Sequence, residues 1–219
     1  TRTVNVAATP PIITLNPGSE PGPNGLDPTG EVVYHKVKSR NPLFSDDGPF
    51  QDPGFTAATA SPSNPDFAGK DLTRMVQVEG LSAITYDELG TFDVTYTVND
   101  QSRRYLPVAI PHVSTTKTRT VHIADLTPPK VFLNGSLSVQ VEAATSYSDA
   151  GSTAQDNYDS DSALLPKIQV SSTVDLMVEG DYSVNYNVTD VAGNVSETVS
   201  RLVTVVDTTP PEIELFGSP

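Results

Sequence analysis

The chain has 219 residues, a formal net charge of −14, 19 prolines, 14 glycines and no cysteine. A surface this anionic repels nucleic acid and anionic membrane. The lack of thiols excludes a disulfide framework, a thiolate zinc site, an iron–sulfur cluster and a cysteine nucleophile. No stretch approaches the roughly 20 apolar residues of a membrane-spanning helix.

One phrase recurs along the chain: TRTVNVAATPP at 1–11, TRTVHIADLTPP at 118–129 and SRLVTVVDTTPP at 200–211. After each Pro-Pro comes a short apolar run, IITLNPG from Ile12, KVFLNG from Lys130 and EIELFG from Glu212. A strand, a proline hinge and a new strand repeating in this way mark tandem domains with a fixed joint. The intervals suit one sandwich each, about 100 residues. The reading in chain order is therefore a closing strand of a preceding repeat (1–8), a repeat with loop insertions (9–126), a second repeat (127–207) and an opening strand of a following repeat (208–219).

In the first repeat, 16–30 is too rich in Gly and Pro for a strand, 56–70 contains the Ser/Thr/Pro stretch TAATASPSNP, and 101–117 reads as a long arm. Ile84–Asp100 aligns without a gap on Val174–Asp190, and Phe50–Ala57 on Tyr147–Ala154. In the second repeat, strands are expected at 130–133, 136–141, 167–171, 181–188 and 198–206, with a polar loop over 148–162, at most one helical turn over 164–168, and a turn at 190–194. Tyr182, Val184, Tyr186 and Val188 share one face at period two, with Ser183, Asn185 and Asn187 on the other. Short alternating runs between turn residues give an all-β chain: tandem immunoglobulin-like Greek-key sandwiches arranged end to end.

Nothing points to catalysis. His35, His112 and His122 are scattered, with no triad motif, no HExxH and no phosphate or dinucleotide loop, so no catalytic residue is assigned and the chain reads as a non-enzyme. The run Asp156, Asn157, Asp159 and Asp161 offers hard oxygen donors suited to calcium; the competing reading is a solvated loop whose aspartates cap turns. Calcium is the one cofactor expected. Asn134, Asn187 and Asn194 begin sequons for N-linked glycans, and Ser61 and Ser63 lie in a stretch whose composition suits O-linked ones. The interdomain joint is assigned to Asp125, Pro128, Pro129, Asp207, Pro210 and Pro211, because proline fixes φ and restricts the residue before it. The joint is also a second candidate calcium site, where Asp125 or Asp207 could meet Asp149 or Asp190 of a neighbouring loop. Thr3, Val4, Val6, Ile213 and Leu215 are assigned to strand completion with a neighbouring sheet, since strand edges are rarely left free.

The second repeat resembles the bacterial immunoglobulin-like repeat family of surface adhesins, S-layer proteins and filament proteins. The resemblance rests on Thr127, Pro128, Pro129, Val131, Leu133 and Gly135; on Tyr147, Asp149, Gly151, Ala154 and Asp156; and on Gly180, Tyr182, Val184, Tyr186, Val188, Asp190, Gly193 and Asn194. The first repeat departs from the pattern by lacking the Gly-Asn turn. The resemblance implies an extracellular or cell-surface structural or adhesive module with no activity of its own. Its expected partners are further repeats or copies of the chain, head to tail, and glycans. The alternative is a carbohydrate-binding or spacer module of a secreted hydrolase, for which Tyr34, Tyr105 and Tyr158 are the aromatic candidates.

Overall fold

A computed structural model of the chain describes residues 10–60, 69–100, 113–214 and 216–217. Thr3, Val4, Val6, Ser61, Ser63, Tyr105, His112 and Leu215 lie outside the described residues. The chain divides into two compact units, 1–39 with 45–126, and 40–44 with 127–219. Among the described residues, twelve strands and one four-residue helix form an all-β fold in which each unit is a small sandwich.

In the first unit, β1 (Ile12–Leu15) pairs antiparallel with β3 (Phe55–Ala58). The facing sheet holds β2 (Val32–Lys36), β6 (Val113–Ala124), β5 (Gly90–Asp100) and β4 (Gln77–Glu79), in that order. The pleat explains the core: Val94, Tyr96 and Val98 of β5 and Val121 and Ile123 of β6 are buried, while the alternate threonines and Asp93 point outward.

The second unit repeats the plan. β7 (Lys130–Leu133) pairs with β9 (Ser152–Gln155), facing the sheet β10 (Ile168–Ser172), β11 (Gly180–Val188), β12 (Val199–Val206) and β8 (Ser138–Glu142). Its core gathers Val131, Ala154, Leu164, Val184, Tyr186, Val188 and Val203. In both units the sheet is mixed. β2 runs parallel to β6, and β8 parallel to β12.

Several elements differ from the sequence expectation. β3 and β9 occupy stretches that read as loops, because each places only a single small residue, Ala57 or Ala154, in the core and so carries almost no alternation. The segment 113–117, read as part of an arm, is the start of β6 and pairs with β5. The helical turn begins earlier than expected: α1 covers Asp161–Leu164, continued by a 3-10 turn at Leu165–Lys167 with Pro166 in its first turn. Arg40–Phe44, from the first repeat by sequence, folds as part of the second unit. There the Arg40 N–H donates to the Asn157 carbonyl at 2.7 Å, the Arg40 guanidinium stacks 3.8 Å over the Tyr158 ring, and the Lys130 ammonium lies 4.7 Å over the Phe44 ring.

Candidate functional site

The aligned phrase that opens with Thr-Arg or Ser-Arg carries its arginine into the core of each unit. Arg201, on β12, is 1 % exposed. Burying a guanidinium costs several kcal/mol unless its charge and its N–H groups find partners, about five in number. Arg201 finds them: Nε donates to the Ser136 carbonyl at 2.9 Å, Nη2 to the carbonyls of Asn134 and Gly151, and Nη1 forms an ion pair with Asp149 at 2.5 Å. The Asp149 carboxylate also accepts the hydroxyls of Tyr147, at 2.5 Å, and Tyr186, and the Gly151 N–H at 2.7 Å. Burial pushes the Asp149 carboxyl up, but the hydrogen bonds from Tyr147, Tyr186 and Arg201 outweigh it and hold the group well below the usual carboxylate range. Burial, followed by that carboxylate, pushes the Tyr186 phenol up to about 12.

The first unit builds the same network from aligned residues. Arg119 is fully buried; Nε donates to the Gly30 carbonyl at 2.9 Å, Nη2 to the carbonyls of Asn16 at 2.7 Å and Gly54 at 3.0 Å, and Nη1 pairs with Asp52. Tyr96 donates its hydroxyl to Asp52 at 2.9 Å, and the Gly54 N–H reaches Asp52 at 3.1 Å. One arginine thus ties the end of the first strand, the turn after it and the Asp-x-Gly turn to the central strands of the facing sheet. Sequence reasoning passed over both arginines. The available signal was their recurrence, since a charged residue kept at an inward phase of a strand implies a buried partner.

The acidic loop of the second unit is compact. Asp156 is buried and accepts the N–H groups of Tyr158 at 3.0 Å and Asp159 at 2.9 Å. Asp159 accepts the Val191 N–H at 2.7 Å, which fastens the loop to the 190–194 turn. In that turn the buried Asp190 accepts the N–H groups of Gly193 at 2.6 Å and Asn194 at 2.7 Å and the Asn194 amide at 2.7 Å. Carboxylate oxygens of Asp156 and Asp190 come within 4.8 Å of each other. The close pair therefore joins Asp156 of the acidic run to Asp190 of the second candidate site, while Asp161 is exposed at the start of α1 and Asn157 is buried with its carbonyl accepting from Arg40.

Asp125 is buried and Asp207 exposed; Pro128, Pro210 and Pro211 are exposed and Pro129 is buried. Of the sequon asparagines, Asn134 donates its amide to the Ala150 carbonyl at 3.2 Å, Asn194 is engaged with Asp190, and Asn187 is half-buried on the outer face of β11. Ile213 is 88 % exposed. Tyr34 stacks on His122 at 4.9 Å between ring centroids, so this ring, like Tyr158, is already covered by a neighbour. His35 and His122 bond to the Gly48 carbonyl and the Thr91 hydroxyl.

Residues 131–205 match the model of the immunoglobulin-like domain of bacterial surface proteins. The matched segment runs from β7 into β12 and contains the Asp149–Arg201 pair and the acidic loop. Among solved structures, the lipoprotein BT2262 from Bacteroides thetaiotaomicron is similar at 21 % identity over 38 % of this chain and 40 % of that one, with a TM-score of 0.31. The chain thus spans well under two thirds of that protein. No curated protein matches the chain. No helix among the described residues is long and apolar enough to cross a membrane.

Proposed function

We propose that the chain is a structural segment of a bacterial surface protein, in which immunoglobulin-like sandwiches joined by Pro-Pro links build a rod, stalk or filament. The observation that carries this reading is the buried Arg–Asp–Tyr network, present twice, with the arginine supplied each time by the phrase that leads into the Pro-Pro joint. A unit that braces its closing strand internally and then leaves through prolines suits a spacer that resists extension. The match to the domain of bacterial surface proteins supports a surface location. Electron microscopy of the native assembly tests it. Beaded rods with one bead per sandwich are expected, and compact particles of fixed size would sink the proposal.

Calcium is proposed as a stabilising ligand of the second unit. The donor chemistry fits: Asp156 and Asp190 bring two buried, hard carboxylates within 4.8 Å, and Asp159 is fastened between their turns. A bound divalent ion would neutralise that pair and lock the 156–159 loop to the 190–194 turn. Because binding to the folded state alone raises stability by mass action, the melting temperature in millimolar calcium should exceed that in excess chelator. Equal values would remove calcium from the reading.

A further inference from the structure

One carboxylate gathers the hydrogen bonds of the segment that leaves the second unit. β8 lies parallel to β12 with Glu142 opposite Val206. The backbone around Glu142 is itself held: Ala143 donates its N–H to the Val206 carbonyl at 2.7 Å, and the Thr145 hydroxyl donates to the Glu142 carbonyl at 2.6 Å. Ala144 then turns through φ 57°, a left-handed conformation that alanine seldom adopts, with its N–H on the Leu176 carbonyl. This delivers the Glu142 carboxylate to the segment that follows β12. Oε1 accepts the N–H groups of Thr208 and Thr209, both at 2.8 Å, and the Thr209 hydroxyl at 2.7 Å, while Oε2 accepts the Thr208 hydroxyl at 2.7 Å.

We infer that Glu142 is a latch that sets the direction and stiffness of the joint leaving the second unit. Four donors from two successive residues converge on one carboxylate, and the next two residues are prolines with restricted φ. Rotation about the Thr208 and Thr209 backbone is therefore resisted on one side by the latch and on the other by the ring of Pro210. The first repeat lacks the device. Lys36 occupies the position of Glu142, opposite Ala124 on β6, and its ammonium pairs with Asp47 at 3.1 Å and Glu20 at 3.7 Å. Leu126 stands where the second repeat has Thr208. The joints after the two repeats thus differ in a way their shared Pro-Pro conceals. The inference rests on local geometry and holds independently of the rod reading.

The test uses backbone amide exchange and 15N relaxation on the whole chain, comparing wild type, Glu142→Ala and Glu142→Gln. In Glu142→Ala the Thr208 and Thr209 amides should exchange about tenfold faster, and order parameters at Thr208, Thr209, Glu212 and Ile213 should fall. Amides of β12 should keep their wild-type protection. Glu142→Gln keeps an acceptor oxygen for the two N–H groups and should remain close to wild type. The latch is overturned if Glu142→Ala leaves the two threonine amides and the order parameters unchanged. It is equally overturned if β12 loses protection in step with them, since Glu142 would then be an ordinary stabilising residue of the sheet.

Discussion

Arg201 and Asp149 are 52 positions apart in the sequence yet form a 2.5 Å ion pair at the centre of the second unit, with Arg201 1 % exposed. The aligned Arg119 and Asp52 do the same in the first. A charge pair at the inward phase of a strand is held by its hydrogen bonds as much as by its Coulomb term, because every N–H of the guanidinium must be satisfied in the absence of water.

Removing one partner should therefore cost more than removing both. Asp149→Ala leaves an uncompensated buried guanidinium and is expected to lower stability by about 3–5 kcal/mol. The pair Asp149→Ala with Arg201→Met should recover part of that loss. Chemical denaturation of the two single variants and the double variant gives the coupling. A purely additive cycle would contradict the buried-pair account.

Tyrosine titration gives a second check. Burial raises the Tyr96 phenol to about 12, and burial with the Asp149 carboxylate raises Tyr186 to about 12, from an ordinary value of 10.0. A neutral acid whose pKa is raised on folding contributes stability that is complete below its unfolded value. That contribution is lost as the pH climbs from about 10 toward 12. Ultraviolet absorbance should show these two phenols ionising well above the ordinary 10.0, and unfolding should set in across the same window. If all phenols titrate together near 10 with the fold intact, the networks are not as buried as described.

Glu142 behaves in the opposite sense. Hydrogen bonds from the Thr208 and Thr209 hydroxyls, then from the Thr208 N–H, lower its carboxyl from 4.5 to about 2. A depressed carboxyl contributes above its unfolded value and loses that contribution as pH falls through about 2. Carbon-detected NMR titration should find the Glu142 side chain ionising well below the ordinary 4.5; a midpoint near 4.5 would contradict the geometry.

Leu164 tests how far the short helix belongs to the core. It is fully buried in the cluster with Val131, Ala154 and Val203. Leu164→Ala should cost about 2–5 kcal/mol through lost transfer and the cavity left behind. Leu165→Ala, next to it and 59 % exposed, should cost little. Thermal melts that show equal shifts for the two would place α1 outside the core.

Backbone strain gives a further test at Gly30. Its φ is 69°, and a side chain built there would run into the Asn16 carbonyl, which is itself a partner of Arg119. Gly30→Ala should destabilise the first unit by more than about 1 kcal/mol, whereas Gly25→Ala, with open space around it, should pay only for its left-handed backbone. Calorimetry that ranks the two the other way would show that the Asn16 carbonyl is free to move.

Much of this protein follows from its sequence because the deciding signals are local or repeated. The alternation from Tyr182 to Val188 needs only the pleat to bury one face and expose the other, and that is how β11 lies. The recurring Pro-Pro phrase and the gapless match of Ile84–Asp100 to Val174–Asp190 give the duplication, since copied units fold to copied strands. What remained hidden depends on pairs distant in the chain. β3 and β9 are strands because β1 and β7 supply their hydrogen-bond partners, not because Thr-Ala-Ala or Ser-Thr-Ala announces one. The alternation of β12 shows which face is buried but not that β8 lies parallel to it, and that pairing brings Glu142 to Thr208 and Thr209. The acidic run suggested four neighbouring ligands, but a loop cannot turn all its side chains inward. The fold instead set Asp156 beside Asp190, 34 positions away, and left Asp161 in solvent. An arginine on a strand reads as surface until its partners are known, and only the closure of the sandwich put Arg119 and Arg201 in the core with carbonyls and a carboxylate around them.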